Sequence, residues 1–140
     1  MISLSISHFD ADPDRVTAIL GIKPTSVTRK GEPMRHGMPR KTNGWSLEAP
    51  FERLRYGSEH EDALNYLLVR MEGRQEAFAR LRQEVQPKQI TIFGAFYQPY
   101  DEQCGIWLEP SAMRILADCG VGWGLDLYVE DTISQNETTP

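Results

Sequence analysis

Residues 2–24, ISLSISHFDADPDRVTAILGIKP, carry the pattern that decides the fold. Ile2, Leu4 and Ile6 alternate with Ser3, Ser5 and Ser7, the period of a half-buried strand. The period then lengthens. Asp12 before Pro13 pairs an N-cap with a first helical position, and Val16, Ile19 and Leu20 follow at helical spacing. Gly21 stops that helix and Pro24 prevents its continuation. A one-sided strand feeding a one-sided helix predicts an α+β domain, with helices laid on a sheet.

Working outward, Ser26 to Lys30 predicts an edge strand. The stretch 31–44, GEPMRHGMPRKTNG, has three glycines, two prolines and no period, so it predicts a long loop. Trp45 and Leu47 then share one face of a strand. Ser58 and Glu61 have the spacing of a capping box, ahead of a helical stripe of Leu64, Leu67, Leu68 and Met71. Phe78, Leu81 and Val85 form the stripe of a second helix, which ends before Pro87. Gln89 to Tyr97 is rich in β-formers. A turn at 100–103 and Cys104 to Leu108 predict a hairpin partner for it. Pro110 opens a short helix carrying Met113, Ile115 and Leu116, and Gly120 closes it. Val121, Trp123, Leu125, Leu127 and Val129 alternate along a last strand. Gly120, Gly122 and Gly124 predict a bare strand face, approached closely by a helix or another backbone.

The expected order is therefore β-α-β-β-α-α-β-β-α-β, a mixed, largely antiparallel sheet with helices packed on one face. Residues 1–130 form a single domain, and the polar residues 131–140 form a disordered tail. The two ends resemble each other in reverse order, without a residue-level repeat.

These residues also carry a family likeness. The serine-rich first strand, FDADPDRVTAILGIKPT, RKGE, NGWSLEAP and the late GLDLYVE resemble the bacterial family known as domain of unknown function 4279. The resemblance runs over nearly the whole chain and is most specific in LGIKPT, RKGE and Gly44-Trp45-Ser46. It implies a compact α+β domain of bacterial origin and implies no activity.

Composition narrows the function classes. The 140 residues are 40% hydrophobic and 25% charged, which suits a globular domain able to bury its own core. No window approaches the length of a membrane span, and the N-terminus lacks a signal-peptide pattern, so the expected compartment is the cytoplasm. Cys104 and Cys119 lack metal or redox spacing and read as free thiols. The formal net charge of −5 is unevenly placed: residues 23–41 hold six cations against Glu32, and residues 100–140 hold eight acids against Arg114. Such a chain makes a poor general nucleic-acid binder but a bipolar surface for a charged partner.

The candidate chemistry is sparse. Asp10, Asp12 and Asp14 have the spacing that starts a calcium loop, yet Arg15 and Gly21 stand where that loop needs Gly and Glu. Helix capping accounts for them better. His8, His36 and His60 have no metal-ligand spacing. No nucleophile elbow or phosphate loop is present, so neither a catalytic set nor a cofactor is expected. Asp126 and Tyr128, two apart on the last strand, form an acid and phenol pair on the face opposite Trp123. The basic loop of Arg29, Lys30, Arg35, His36, Arg40 and Lys41, flanked by Trp45, is the most informative feature.

The leading expectation is a non-catalytic protein-interaction module, comparable in size and charge to toxin-neutralising immunity proteins. Self-association through an edge strand is compatible with it. The basic loop also suits a small anionic ligand, and the alternatives are a small-molecule sensor or carrier lined by Trp45, Phe93, Phe96, Tyr97, Trp107 and Trp123, and an enzyme whose site is assembled from distant residues.

Overall fold

The computed structural model describes residues 1–50, 58–99 and 106–130. Its strands are β1 (Ile2–Phe9), β2 (Ser26–Thr28), β3 (Asn43–Glu48), β4 (Gln89–Pro99) and β5 (Gly122–Glu130). Its helices are α1 (Pro13–Leu20), α2 (Ser58–Met71), α3 (Gln75–Glu84) and α4 (Pro110–Cys119). The five strands make one sheet in the order β2-β3-β1-β4-β5. β1 runs antiparallel to β3 and β4, β2 antiparallel to β3, and β5 parallel to β4. The α+β class and the mixed, largely antiparallel sheet are as the sequence predicts.

Alternation sets the two faces. Ile2, Leu4 and Ile6 of β1 are level with Trp45 and Leu47 of β3 and with Ile90 and Ile92 of β4, and all are buried beneath the helices. α1, α2 and α3 contribute Val16, Leu20, Leu64, Leu67, Leu68, Met71, Phe78 and Leu81 to the same core. Strict alternation would turn His8 inwards. It adopts φ +62° instead, and the resulting bulge between Ser7 and Phe9 gives the inward place to Phe9. His8 stays exposed while Phe9 is buried.

The opposite face carries Ser3, Ser5 and Ser7 of β1, Ser46 of β3 and Thr91 and Phe93 of β4. Gly122, Gly124, Asp126 and Tyr128 of β5 continue it. Small hydroxyl side chains dominate it as far as β4.

Three local expectations are corrected. The hairpin after β4 is absent among the described residues. β5 takes that side of β4 in parallel, and Ile106 to Leu108 run without strand pairing into α4. In α4 only Met113 departs: Leu116 is buried and Ile115 packs partly buried against the core, whereas Met113 faces outwards and Ala112 and Cys119 complete the buried face. Lastly, the Ile90 carbonyl approaches Gly122 as expected, 3.7 Å from a Cβ position, but a side chain, not a helix or backbone, closes on Gly124. The Phe93 ring lies over it on the helix-free face, 3.1 Å from where a Cβ would sit. Cys104, the 100–103 turn and the 131–140 tail lie outside the described residues. Among the described residues, no helix is long and apolar enough to cross a membrane.

Candidate functional site

The basic loop divides into an anchor and a tip. Arg29 donates to Asp12 at 3.0 Å and reaches Asp14 at 3.5 Å, while Lys30 reaches Asp10 at 3.3 Å. Thus the acids that resemble the start of a calcium loop hold the first two cations of the loop. Asp12 also caps α1, accepting from the Asp14 N–H at 2.9 Å. That backbone bond, and then the Arg29 guanidinium, hold its carboxyl below the usual aspartate range.

Beneath these ion pairs lies Asn43, a polar residue buried at the start of β3. Its Oδ1 accepts from the Lys30 N–H at 2.6 Å, and its Nδ2 donates to the carbonyls of Asp10 and Ala11. One amide thereby ties the β1–α1 connection to the end of β2. Nothing in the sequence pattern marks Asn43 beyond its place in NGW. Trp45 is 1% exposed and donates from Nε1 to the Thr17 hydroxyl at 3.0 Å. Its place is in the core beneath the loop, so it holds the scaffold rather than the surface.

The tip is a small ordered hairpin. Gly31 donates to the carbonyl of Arg40, Arg40 to Glu32, Met34 to Met38 and Gly37 to Met34, with Pro33 bridged to Pro39. Arg35, His36, Met34, Met38 and Lys41 are exposed on it, and Arg40 is half-buried at its base. Added Cβ atoms at Gly31 or Gly37 would meet nothing within 4 Å, so the tip stands clear of the body. Among the described residues Arg35, Arg40 and Lys41 make no ion pair. The outward methionines are the residues that the sequence reading passes over.

A family profile described as a domain of unknown function (DUF4279) matches residues 1–130. The chain belongs to that family. No curated protein and no solved structure matches it.

In this DUF4279 domain the second predicted group, Asp126 and Tyr128, lies on the helix-free face of β5. Tyr128 stacks on Tyr97 of β4, with ring centroids 5.1 Å apart and planes at 19°. Asp126 is exposed beside Ala95. β5 and the tip hairpin belong to opposite halves of the sheet, so the structure does not bring the two groups together. The aromatic residues proposed to line one pocket are also separated. Trp45, Phe96 and Trp123 face the helices, whereas Phe93 and Tyr97 face the other way.

Two hollows lie between α2 and α4 among the described residues. One, of about 170 Å³, is lined by Leu64, Leu68, Trp107 and Ile115. Another, of about 270 Å³, adjoins it through Ser111 and Ile115. Cys119 closes the floor of the second, with Sγ 3.6 Å from the Met71 carbonyl, and burial pushes its thiol up from its usual range. Among the described residues no three His, Cys, Asp or Glu side chains converge on a metal position. His60 packs against Phe96, with ring centroids 4.2 Å apart.

Proposed function

We infer that the protein is a non-catalytic protein-interaction module that presents the 31–41 hairpin to an acidic protein surface. The observation that supports this is the division within the basic loop. Arg29 and Lys30 are spent on Asp10, Asp12 and Asp14, and so hold the base. Arg35, His36 and Lys41 stand free on a tip held by its own backbone hydrogen bonds. Arginine anchors interfaces, and exposed methionines such as Met34 and Met38 adapt to irregular apolar surfaces. A preformed tip also saves much of the ordering entropy that a mobile loop would lose on binding. The partner's chemistry follows: acidic at its rim, with apolar depressions able to accept thioether side chains. A role of the kind played by toxin-neutralising immunity proteins, and a cytoplasmic setting, agree with this reading.

The test is co-purification of the tagged domain from its host's extract at low and high salt, beside the double variant Arg35→Glu/Lys41→Glu. One partner retained at low salt, weakened by salt and lost by the variant is the expected result. Retention that ignores both salt and the charge reversal would overturn the reading. A variant that loses stabilisation by small anions but keeps its protein partner would favour an anionic ligand instead.

A further inference from the structure

The two edges of the sheet are unlike. β2 is three residues long and leads directly into Arg29 and Lys30, features that blunt an edge against further pairing. β5 is nine residues long and, among the described residues, pairs with β4 alone. Leu125 and Leu127 are 37% and 57% exposed on the face that the helices cover elsewhere. Tyr128, 47% exposed, and Phe93 and Tyr97 lie on the other face. The outermost strand thus leaves Leu125 and Leu127 exposed on its helix-side face, beside an aromatic patch of Tyr128, Phe93 and Tyr97 on the other.

We propose that β5 pairs antiparallel with β5 of a second copy of this chain, joining two five-stranded sheets across a two-fold axis at Leu125. Such an axis, perpendicular to the sheet, keeps each residue on its own face and sets residues i and j opposite when their numbers sum to twice the central one. Centred on Leu125, it places Trp123 opposite Leu127 of the other copy and Leu125 opposite Leu125. The helix-side face then carries one apolar ladder across the junction. On the other face, Tyr128 meets Gly122 and Asp126 meets Gly124, so neither faces a side chain of the opposite strand, the Phe93 ring of β4 being what covers Gly124. An axis at Asp126 would instead set two carboxylates directly opposite, which is destabilising. An axis at Gly124 would leave Leu127 and Tyr128 with no partner within the strand. The charge pattern and the glycines thus favour the axis at Leu125 over those at its two neighbours. This surface lies at the other edge from the hairpin tip, so dimerisation would double the number of tips and raise avidity for a repeated partner.

The test is sedimentation of the whole protein over a range of concentrations, with two variants and a crosslinking pair. The wild type is expected to show a monomer–dimer equilibrium. Leu125→Lys and Leu127→Lys should each weaken it by about tenfold or more while retaining the far-ultraviolet circular dichroism of the parent. Leu125→Cys should form a disulfide dimer on mild oxidation beyond that of the parent, because cross-strand Cα atoms about 4.5–5.5 Å apart lie within disulfide reach. Leu127→Cys alone should not, since its opposite residue is Trp123. A monomer at every concentration, or a dimer indifferent to both lysine variants, would overturn the proposal. So would Leu127→Cys crosslinking as readily as Leu125→Cys, because that places the axis elsewhere.

Discussion

The two halves of the molecule solve one problem locally and diverge at the next level. α1 and α4 both open with proline, at Pro13 and Pro110, and both close on a left-handed glycine, Gly21 and Gly120. Each final carbonyl is also capped by a distant arginine. Arg74 donates to Leu20, and Arg82 to Cys119. Both helices also join strands that point the same way. In the N-terminal unit, however, β3 is inserted between β1 and β2, and the Asn43 and Arg29 contacts lock the insertion to α1. In the C-terminal unit β4 and β5 are direct neighbours, and nothing among the described residues pairs with the outer side of β5. Helix punctuation is a matter of a few adjacent residues. Setting a strand between two parallel ones takes a second stretch of chain, and among the described residues only the N-terminal half has it.

The two tryptophans give the largest contrast. Trp45→Ala removes a fully buried indole and its bond to Thr17, so we expect a loss of about 3–5 kcal/mol in a urea titration. Trp123 sits half-buried in the open half, and Trp123→Ala should cost ~1–2 kcal/mol. Equal losses would mean that the C-terminal half is as closed as the N-terminal one.

The helix stops sharpen the comparison. Both glycines have positive φ, so either alanine substitution carries a left-handed penalty of about 1–2 kcal/mol. At Gly120 the new methyl would also strike the Arg82 guanidinium, whereas at Gly21 the nearest atom, Arg74 Nη1, is 3.3 Å away. Gly120→Ala should therefore lower the melting temperature more than Gly21→Ala. Asn43→Ala strands the Lys30 N–H and two carbonyls, for about 1–2 kcal/mol. It should also raise exchange of the hairpin amides while leaving those of β5 unchanged.

The smallest effect is with pH. Asp12 has its carboxyl pKa depressed in the fold, so its contribution is complete above the ordinary aspartate range and is lost as pH falls through the depressed value. Asp12→Asn should flatten the acid limb of stability below about pH 4, and an unchanged limb would place that acid sensitivity elsewhere.

Much of this organisation was legible in the sequence, because it is written at short range. Alternation in 2–7, Asp12-Pro13, Gly21 and the stripes of α2 and α3 each depend on neighbours within a turn or a pleat. What escaped depends on residues far apart in the chain. The hairpin predicted after β4 is not seen at 106–108, because two β-rich stretches close in sequence look like partners, and the return of β5 through α4 is decided at longer range. In α4, Met113 lies outside the buried face because an apolar residue beside the stripe looks like part of it, and periodicity alone does not set it apart. Of the site, the cations were visible but their division was not. Nothing within 29–41 says that Arg29 and Lys30 face Asp10, Asp12 and Asp14 across the α1 connection. Trp45 flanks the loop in sequence, although its position level with Ile6 of β1 makes it core.

The most direct test of the open and closed halves is amide hydrogen exchange of the whole protein at a low and a high concentration. Exchange in β5 should slow as concentration rises, while exchange in β2 and β3 stays constant. Equal exchange in β5 at both concentrations would contradict the account, because that edge would then be open at every concentration or already closed within one chain.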